Sequence, residues 1–374
     1  MDFLWNYIVV FLLILTVVVF VHEFGHYFVA RRNGIKVEVF SIGFGPEIWG
    51  FNDRSGTRWR LSLLPLGGYV KMFGDADAAS VTGDDVPMTE ADKAQSFRHK
   101  RVGQRAAVVF AGPAANFVFA IVGLALMFML LGQPVTDPVI GQVHADTAAA
   151  QAGLKAGDRI RAVNGRAVDR FQDIQRIVRL EIGQPLELDV ERDGDRMMIV
   201  AQPRIVERKG LFGDMEKVPV LGISADVNRT TIVRYGPASA LWQAVKETGQ
   251  MVSSTFVGIG QMIAGTRDSD ELGGPIRIAK GAGEAAQVGL ASVVFYTILL
   301  SLNLGLINLF PIPVLDGGHL VFYAFEAILG RPLGEGAQEY GFRIGLFLVL
   351  ALMVFATRND IVSLPVWDAV KRLL

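Results

Sequence analysis

Four stretches of this chain are long, apolar and free of charge, and between them the pattern shifts to short alternations suited to strands. The first apolar run is Phe3 to Val21, the second Ala106 to Gly132, and the third extends from about Val288 to Leu315. A shorter fourth run spans Ile344 to Ala356. A helix crosses the hydrocarbon core of a bilayer in about 20 residues, so these runs predict membrane spans. The first lacks a basic leader and an A-x-A cleavage site, and it reads as a retained span. Thr248 to Gly265 is also uncharged, but Gln250, Ser253, Ser254, Thr255 and Gln261 suit a surface amphipathic helix better.

The predicted fold is therefore a polytopic α-helical membrane protein of about four transmembrane helices. It carries a membrane-associated β-hairpin region and an inserted α+β domain. The predicted order is a first transmembrane helix (1–31), a loop with the hairpin (32–105) and a second helix (106–132). An external folded domain (138–225) and an external amphipathic segment (236–287) follow. A third helix with its trailing motif (288–319) precedes a fourth helix and tail (320–374).

Basic residues near span ends mark the cytoplasmic side. Arg31, Arg32 and Lys36 follow the first run, and Arg98, Lys100, Arg101 and Arg105 precede the second. The segment from about 31 to 105 is thus expected inside, with the N-terminus and the segment from about 133 to 287 outside. Arg358, Lys371 and Arg372 sit awkwardly with an external C-terminal tail.

Composition narrows the chemistry. Half of the residues are hydrophobic (51%) and only 20% are charged, too apolar a balance for an ordinary soluble protein. The net charge of -1 gives no indication of nucleic-acid binding, and the absence of cysteine excludes thiolate metal sites, disulfides and thiol catalysis.

The candidate chemistry lies where the first run ends, in His22-Glu23-Phe24-Gly25-His26. Residues four apart share a helix face, so both imidazoles can hold one metal ion, and Glu23 beside them can take a proton from attacking water. Such a motif can arise by chance in a soluble helix. Three ionisable side chains continuing from an apolar span are costly without a functional partner. A catalytic zinc also needs a third protein ligand and an open position. The third run ends in Asn308-Leu309-Phe310-Pro311-Ile312-Pro313-Val314-Leu315-Asp316-Gly317-Gly318-His319, where two prolines break the helix. Asp316 is the expected ligand and His319 its competitor. If residues 248–265 crossed the membrane, Asp316 would lie about 30 Å from the two histidines. The four-span topology keeps them together.

The HEFGH and NLFPIPVLDGGH motifs together resemble those of the site-2 protease family. Further matches are FSIGFGP (Phe40 to Pro46), PLGGYVKM (Pro65 to Met72), GPAAN (Gly112 to Asn116) and GGPIRIAKG (Gly273 to Gly281). The resemblance implies a zinc metalloendopeptidase that cleaves transmembrane segments of regulatory proteins in a bacterial inner membrane. Its site would face the cytoplasm. It implies one catalytic zinc on His22, His26 and Asp316, with Glu23 as general base. Asn116, Asn308, Gly67, Gly68 and Tyr69 would support substrate or transition state, with the oxyanion partner left open between the two asparagines. The implied partners are the lipid bilayer, single-span substrates such as an anti-sigma factor, and a protease that trims them first.

The external segment Ala152-Gly153-Leu154-Lys155-Ala156-Gly157-Asp158-Arg159-Ile160, followed by Val163-Asn164-Gly165, is similar to bacterial PDZ domains. Family members in envelope stress signalling carry two such domains, and this chain has room for one. Leu186 to Arg192 and Arg196 to Gln202, joined through Asp193-Gly194, predict a hairpin. The domain could bind peptides, with Leu221, Gly222 and Ile223 resembling a carboxylate-binding loop, or could serve only as a spacer that obstructs access. On the cytoplasmic side, Thr57 to Leu64 and Tyr69 to Phe73 predict strands around Pro65-Leu66-Gly67-Gly68, and Gly74 to Gln95 predicts a flexible loop. An intramembrane metal transporter and a non-catalytic PDZ scaffold are the competing functions. The first leaves Glu23 without a task, and the intact H-E-x-x-H argues against the second.

Overall fold

The computed structural model describes residues 2–75, 88–209 and 215–362. The chain divides into two compact units, Met1–Gly123 with Gly273–Leu374, and Leu124–Leu272.

Helix α1 (Asp2–Arg32) opens the first unit. Apart from its ends and the His22–His26 turn it is apolar on all sides, as a helix must be where no face meets water. Strands β1 (Val37–Asn52) and β2 (Arg58–Met72) follow. Each strand is bent and contributes twice to the sheet. Ile42 pairs with both Gly68 and Leu61, so the first half of β1 lies between the two halves of β2. This corrects the expected hairpin: 57–64 and 69–73 do not pair with each other, because Phe40 and its neighbours are inserted between them. Phe40 is fully buried and stacks on Trp59 at 4.2 Å between ring centres. The expected alternation also takes an unusual form. Ser62 points inward, 2% exposed, and meets Ser41 at 3.2 Å, whereas Leu61, Leu63 and Leu64 point outward. Asp53 closes the turn, accepting from Ser55 N and Thr57 N. It also accepts from Trp59 Nε1 at 3.0 Å and from the Tyr27 hydroxyl at 2.9 Å, which fastens the sheet to α1 one residue past His26.

Of the predicted loop 74–95, residues 76–87 lie outside the described residues. Glu90–Gln95 corrects part of that expectation by forming a short helix, α2, whose Thr89 and Asp92 make a capping box. Helix α3 (Val102–Leu130) then runs from the first unit into the second.

The second unit contains β3 (Gln133–Thr136), β4 (Ile140–Val143), α4 (Ala148–Gln151), β5 (Arg159–Val163), β6 (Arg166–Ala167) and α5 (Phe171–Leu180). Next come β7 (Leu186–Arg192), β8 (Asp195–Ala201), β9 (Arg204–Lys209), β10 (Met215–Val220), β11 (Ile223–Ala225) and β12 (Thr230–Val233). The main sheet has the order β6-β5-β7-β8, and β4 pairs with β11. Ile140, Ile160, Ile174, Leu186 and Leu188 are at most 1% exposed and form its core. The β7–β8 turn falls at the expected Asp193-Gly194, both with positive φ (51° and 94°), as a two-residue hairpin turn requires. Asp158 is 1% exposed and accepts from Arg192 Nε (2.7 Å), Arg192 Nη2 (2.8 Å) and Lys155 N (2.8 Å). Burial alone would raise its pKa, but these donors outweigh it and hold the carboxyl below its ordinary range.

Helix α6 (Pro237–Ile263) closes the second unit, and α7 (Pro275–Val288) belongs to the first. The predicted external segment 236–287 is therefore split. A Cβ on Gly283 of α7 would overlap the Tyr7 ring of α1, and Asp360 caps α7 through Gly274 N (2.8 Å), Ile276 N (3.0 Å) and Arg277 N (3.1 Å). These contacts hold α7 among the long helices. Helices α8 (Leu290–Asn308), α9 (Asp316–Leu329) and α10 (Glu335–Val362) complete the chain. α9 was unforeseen, and α10 extends well beyond the predicted 344–356. Among the described residues four helices are long and apolar enough to cross a membrane: Tyr7–Arg32, Val102–Leu130, Leu290–Asn308 and Gly336–Val362.

Candidate metal centre

The site is assembled where α1, α3 and the loop between α8 and α9 meet. His22 and His26, one helical turn apart, are 7% and 9% exposed. Their Nε2 atoms lie 3.2 Å apart, and Asp316 Oδ2 lies 3.1 Å from His22 Nε2 and 3.6 Å from His26 Nε2. Three donor atoms around a tetrahedral zinc, with bonds of about 2.0–2.2 Å, would be about 3.3–3.5 Å from one another. The observed triangle brackets that spacing. Asp316 Oδ2 is buried without a hydrogen-bond donor, as an oxygen reserved for a metal would be. The donor set therefore fits zinc in both number and chemistry. Among the described residues these three form the group able to hold a metal ion. His319, the predicted competitor, lies outside it, with its ring 5.3 Å from that of Phe342.

Close helix contact places the histidines. A Cβ on Gly25 would overlap the Ala111 carbonyl, and one on Gly112 would overlap the His26 ring. With neither present, α1 and α3 cross backbone to backbone. The Val108 carbonyl then accepts His26 Nδ1–H at 2.9 Å, leaving Nε2 with its lone pair directed at the site. Sequence reasoning did not single out Val108, because a backbone carbonyl carries no side-chain signal.

Asp316 is placed by a tight loop. Pro311 and Pro313 interrupt helical bonding after Asn308, and Val314 adopts a positive φ of 98°, unfavourable for a β-branched residue. Cβ atoms on Gly317 and Gly318 would overlap the carbonyls of Leu309, Phe310 and Ile312, so the loop wraps directly onto the first turn of α9. Asp316 occupies that turn, where the helix dipole favours a carboxylate.

The remaining predicted residues divide by position. Glu23 follows His22 on α1, and Gly68 lies against it: a Cβ there would be 3.1 Å from Glu23 Cγ. Gly67 and Tyr69 flank Gly68, and the Tyr69 ring carries the Arg60 guanidinium 5.0 Å from its centre. Asn308 Nδ2 is 3.5 Å from His22 Nε2, on the side where Asp316 lies. Asn116 is fully buried, with Nδ2 3.2 Å from the opposite ring nitrogen, His22 Nδ1. In the second unit, Leu221 is part of the core and its carbonyl accepts Ala149 N, while Gly222 O accepts His144 N. Ile223 begins β11, whose one strand partner among the described residues is β4.

Long apolar helices that converge on a His-His-Asp triangle define a membrane-embedded metal-site protein. The sequence pattern of peptidase family M50 matches residues 10–352, and the chain belongs to that family, the site-2 proteases. It is 47% identical to "Putative zinc metalloprotease Atu1380" of Agrobacterium fabrum, over 97% of each chain. It is 40% identical to Metalloprotease MmpA of Caulobacter vibrioides, over 94% of each chain. Identity to the Regulator of sigma-E protease RseP of Salmonella typhimurium is 33%, over 96% of this chain and 99% of that one. A solved PDZ domain of an SdrC-like protein from Listeria monocytogenes covers 24% of this chain and 87% of its own, with 20% identity and a TM-score of 0.21.

Proposed function

We propose that this protein is an intramembrane zinc metalloprotease that hydrolyses peptide bonds within transmembrane segments, with a single-span anti-sigma factor as the substrate class. The observation that carries the proposal is the His22, His26, Asp316 triangle with Glu23 beside it at the end of an apolar helix. The names of the relatives from Agrobacterium and Caulobacter support the same chemistry.

His22 Nε2, His26 Nε2 and Asp316 Oδ2 would hold one zinc ion. When bound, the ion supplies Lewis acidity that makes water nucleophilic and polarises a carbonyl near neutral pH. Glu23 accepts the proton of the attacking water and delivers it to the departing amine nitrogen. Asn308, whose Nδ2 lies 3.5 Å from His22 Nε2, would donate to the carbonyl oxygen as charge develops there. A helical substrate hides its peptide bonds in its own hydrogen bonds and must unwind before attack. Residues 68–72 form an outer segment of the β1–β2 sheet and pair on one side with the start of β1. An unwound substrate can add to the side that no described strand occupies, with Gly68 keeping the path beside Glu23 clear. The outward leucines Leu61, Leu63, Leu64 and Leu66 suit a sheet seated against lipid.

The protein resides in a bacterial inner membrane with its catalytic residues toward the cytoplasm and its PDZ-like segment (138–225) in the periplasm. The A-G-L-x-x-G-D motif supports a PDZ domain there, which admits substrates already shortened by another protease. The native chain has no cysteine, so single cysteines report topology cleanly. In cells with a permeabilised outer membrane, Asp193→Cys should react with a membrane-impermeant thiol reagent. Asp77→Cys should react only after the inner membrane is opened. The opposite pattern would put the catalytic side in the periplasm and defeat this orientation. The proteolytic reading is tested by co-expression with a tagged single-span anti-sigma factor. The parent chain should release a cytoplasmic fragment, and equal release by Glu23→Gln would refute it.

A further inference from the structure

His22 presents two ring nitrogens to different neighbours. Nε2 belongs to the donor triangle, 3.1 Å from Asp316 Oδ2, while Nδ1 faces the Asn116 side chain at 3.2 Å. A neutral imidazole carries one proton, so Nε2 can offer a lone pair to a metal only if Nδ1 carries the hydrogen. That hydrogen then needs an acceptor. For His26 the acceptor is the Val108 carbonyl. For His22, among the described residues, the neighbour is the Asn116 amide, with its NH2 end turned toward the ring. Asn116 Oδ1, the end able to accept, is buried with no hydrogen-bond partner among the described residues.

The first difficulty disappears if the amide is turned end for end, which puts Oδ1 where Nδ2 now faces the ring. The two ends of an asparagine amide are nearly the same shape, and their assignment follows the hydrogen-bond network. We propose that Asn116 is a positioning residue: its Oδ1 accepts His22 Nδ1–H, fixing the tautomer that directs Nε2 at the metal. This rests on the metal-site reading above. It also removes Asn116 from the candidates for substrate contact, because the residue is fully buried and lies on the far side of His22 from Asp316. Its own placement is firm. Its backbone carbonyl accepts the Ser301 hydroxyl at 3.3 Å, and Gly305 of α8 brings backbone close to its Cβ. α3 thus supplies both orienting acceptors, Val108 for His26 and Asn116 for His22.

The test is zinc affinity, measured by competition with a chelator on the full-length protein in detergent, without substrate. Asn116→Leu keeps the bulk but removes the acceptor and should weaken zinc binding roughly 10–100-fold, the usual cost of losing such a supporting partner. Asn116→Asp retains an acceptor oxygen at the same place and should bind zinc within about threefold of the parent. If Asn116→Leu does not fold, Asn116→Ala takes its place in the comparison. Rescue by Asp, which keeps the acceptor oxygen and loses the amide donor, separates an acceptor role from a donor role, and Asn116→Leu, which keeps the bulk, separates both from simple packing. Zinc binding by Asn116→Leu or Asn116→Ala as tight as the parent's, or equal weakening by Asp and the apolar variants, overturns the proposal. A parent chain that binds no zinc in the same titration would instead overturn the metal-site reading beneath it.

Discussion

Glu23→Gln should abolish proteolysis while leaving the zinc content and fold of the purified protein unchanged. The substitution preserves side-chain shape, and Glu23 stands outside the donor triangle of His22, His26 and Asp316. What it removes is the ability to take and return a proton, a contribution worth roughly 10²–10⁴ in rate. The expected signature is thus a separation: cleavage of a single-span substrate falls by that factor, and metal analysis matches the parent. Gly68, packed against Glu23, should be undisturbed because Gln fills the same volume. A Glu23→Gln protein that cleaves at the parent's rate with zinc present would remove Glu23 from the chemistry.

The second large effect concerns the third ligand. Asp316→Ala should lose zinc by more than the roughly 10–100-fold expected for removing a supporting residue, because a direct donor disappears. It leaves His22 and His26, whose Nε2 atoms are 3.2 Å apart, facing a site without its carboxylate. His319→Ala should hold zinc as the parent does, since its ring packs near Phe342 outside the donor group. Metal analysis of the two purified variants decides the matter. Zinc retained by Asp316→Ala but lost from His319→Ala would mean that the wrong member of the LDGGH motif has been assigned.

The sequence made one half of the site legible and left the other half as a choice. H-E-x-x-H puts two candidate ligands on one helix face by spacing alone, so pairing His22 with His26 needed no tertiary information. Asp316 and His319 are three residues apart at the start of α9 and could each be imagined facing the histidines. The choice is made by the loop from Leu309 to Leu315, whose carbonyls close over Gly317 and Gly318. Asn116 stood out as part of a motif, but its target depended on the crossing of α1 and α3 at Gly25 and Gly112, a tertiary event. The β1–β2 sheet was misread for a similar reason. Local alternation suggested that 57–64 pairs with 69–73, whereas β1 takes both halves of β2 as partners. Period-two patterns mark strands but do not say which strand lies beside which. Residues 236–287 read as one amphipathic region from local pattern alone. Their division between units reflects contacts of α7 with Tyr7 and Asp360, distant in sequence.

Hydrolysis at a bond buried in a membrane span is read out by the position of the cut bond. The purified, zinc-loaded protein should be incubated with a single-span substrate already trimmed on its external side. The products are then mapped by mass spectrometry beside a Glu23→Gln control. One dominant cut is expected within the substrate's apolar segment, present with the parent and lost with Glu23→Gln. Cutting confined to the extramembrane parts of the substrate, or the same cut made equally well by Glu23→Gln, would contradict it.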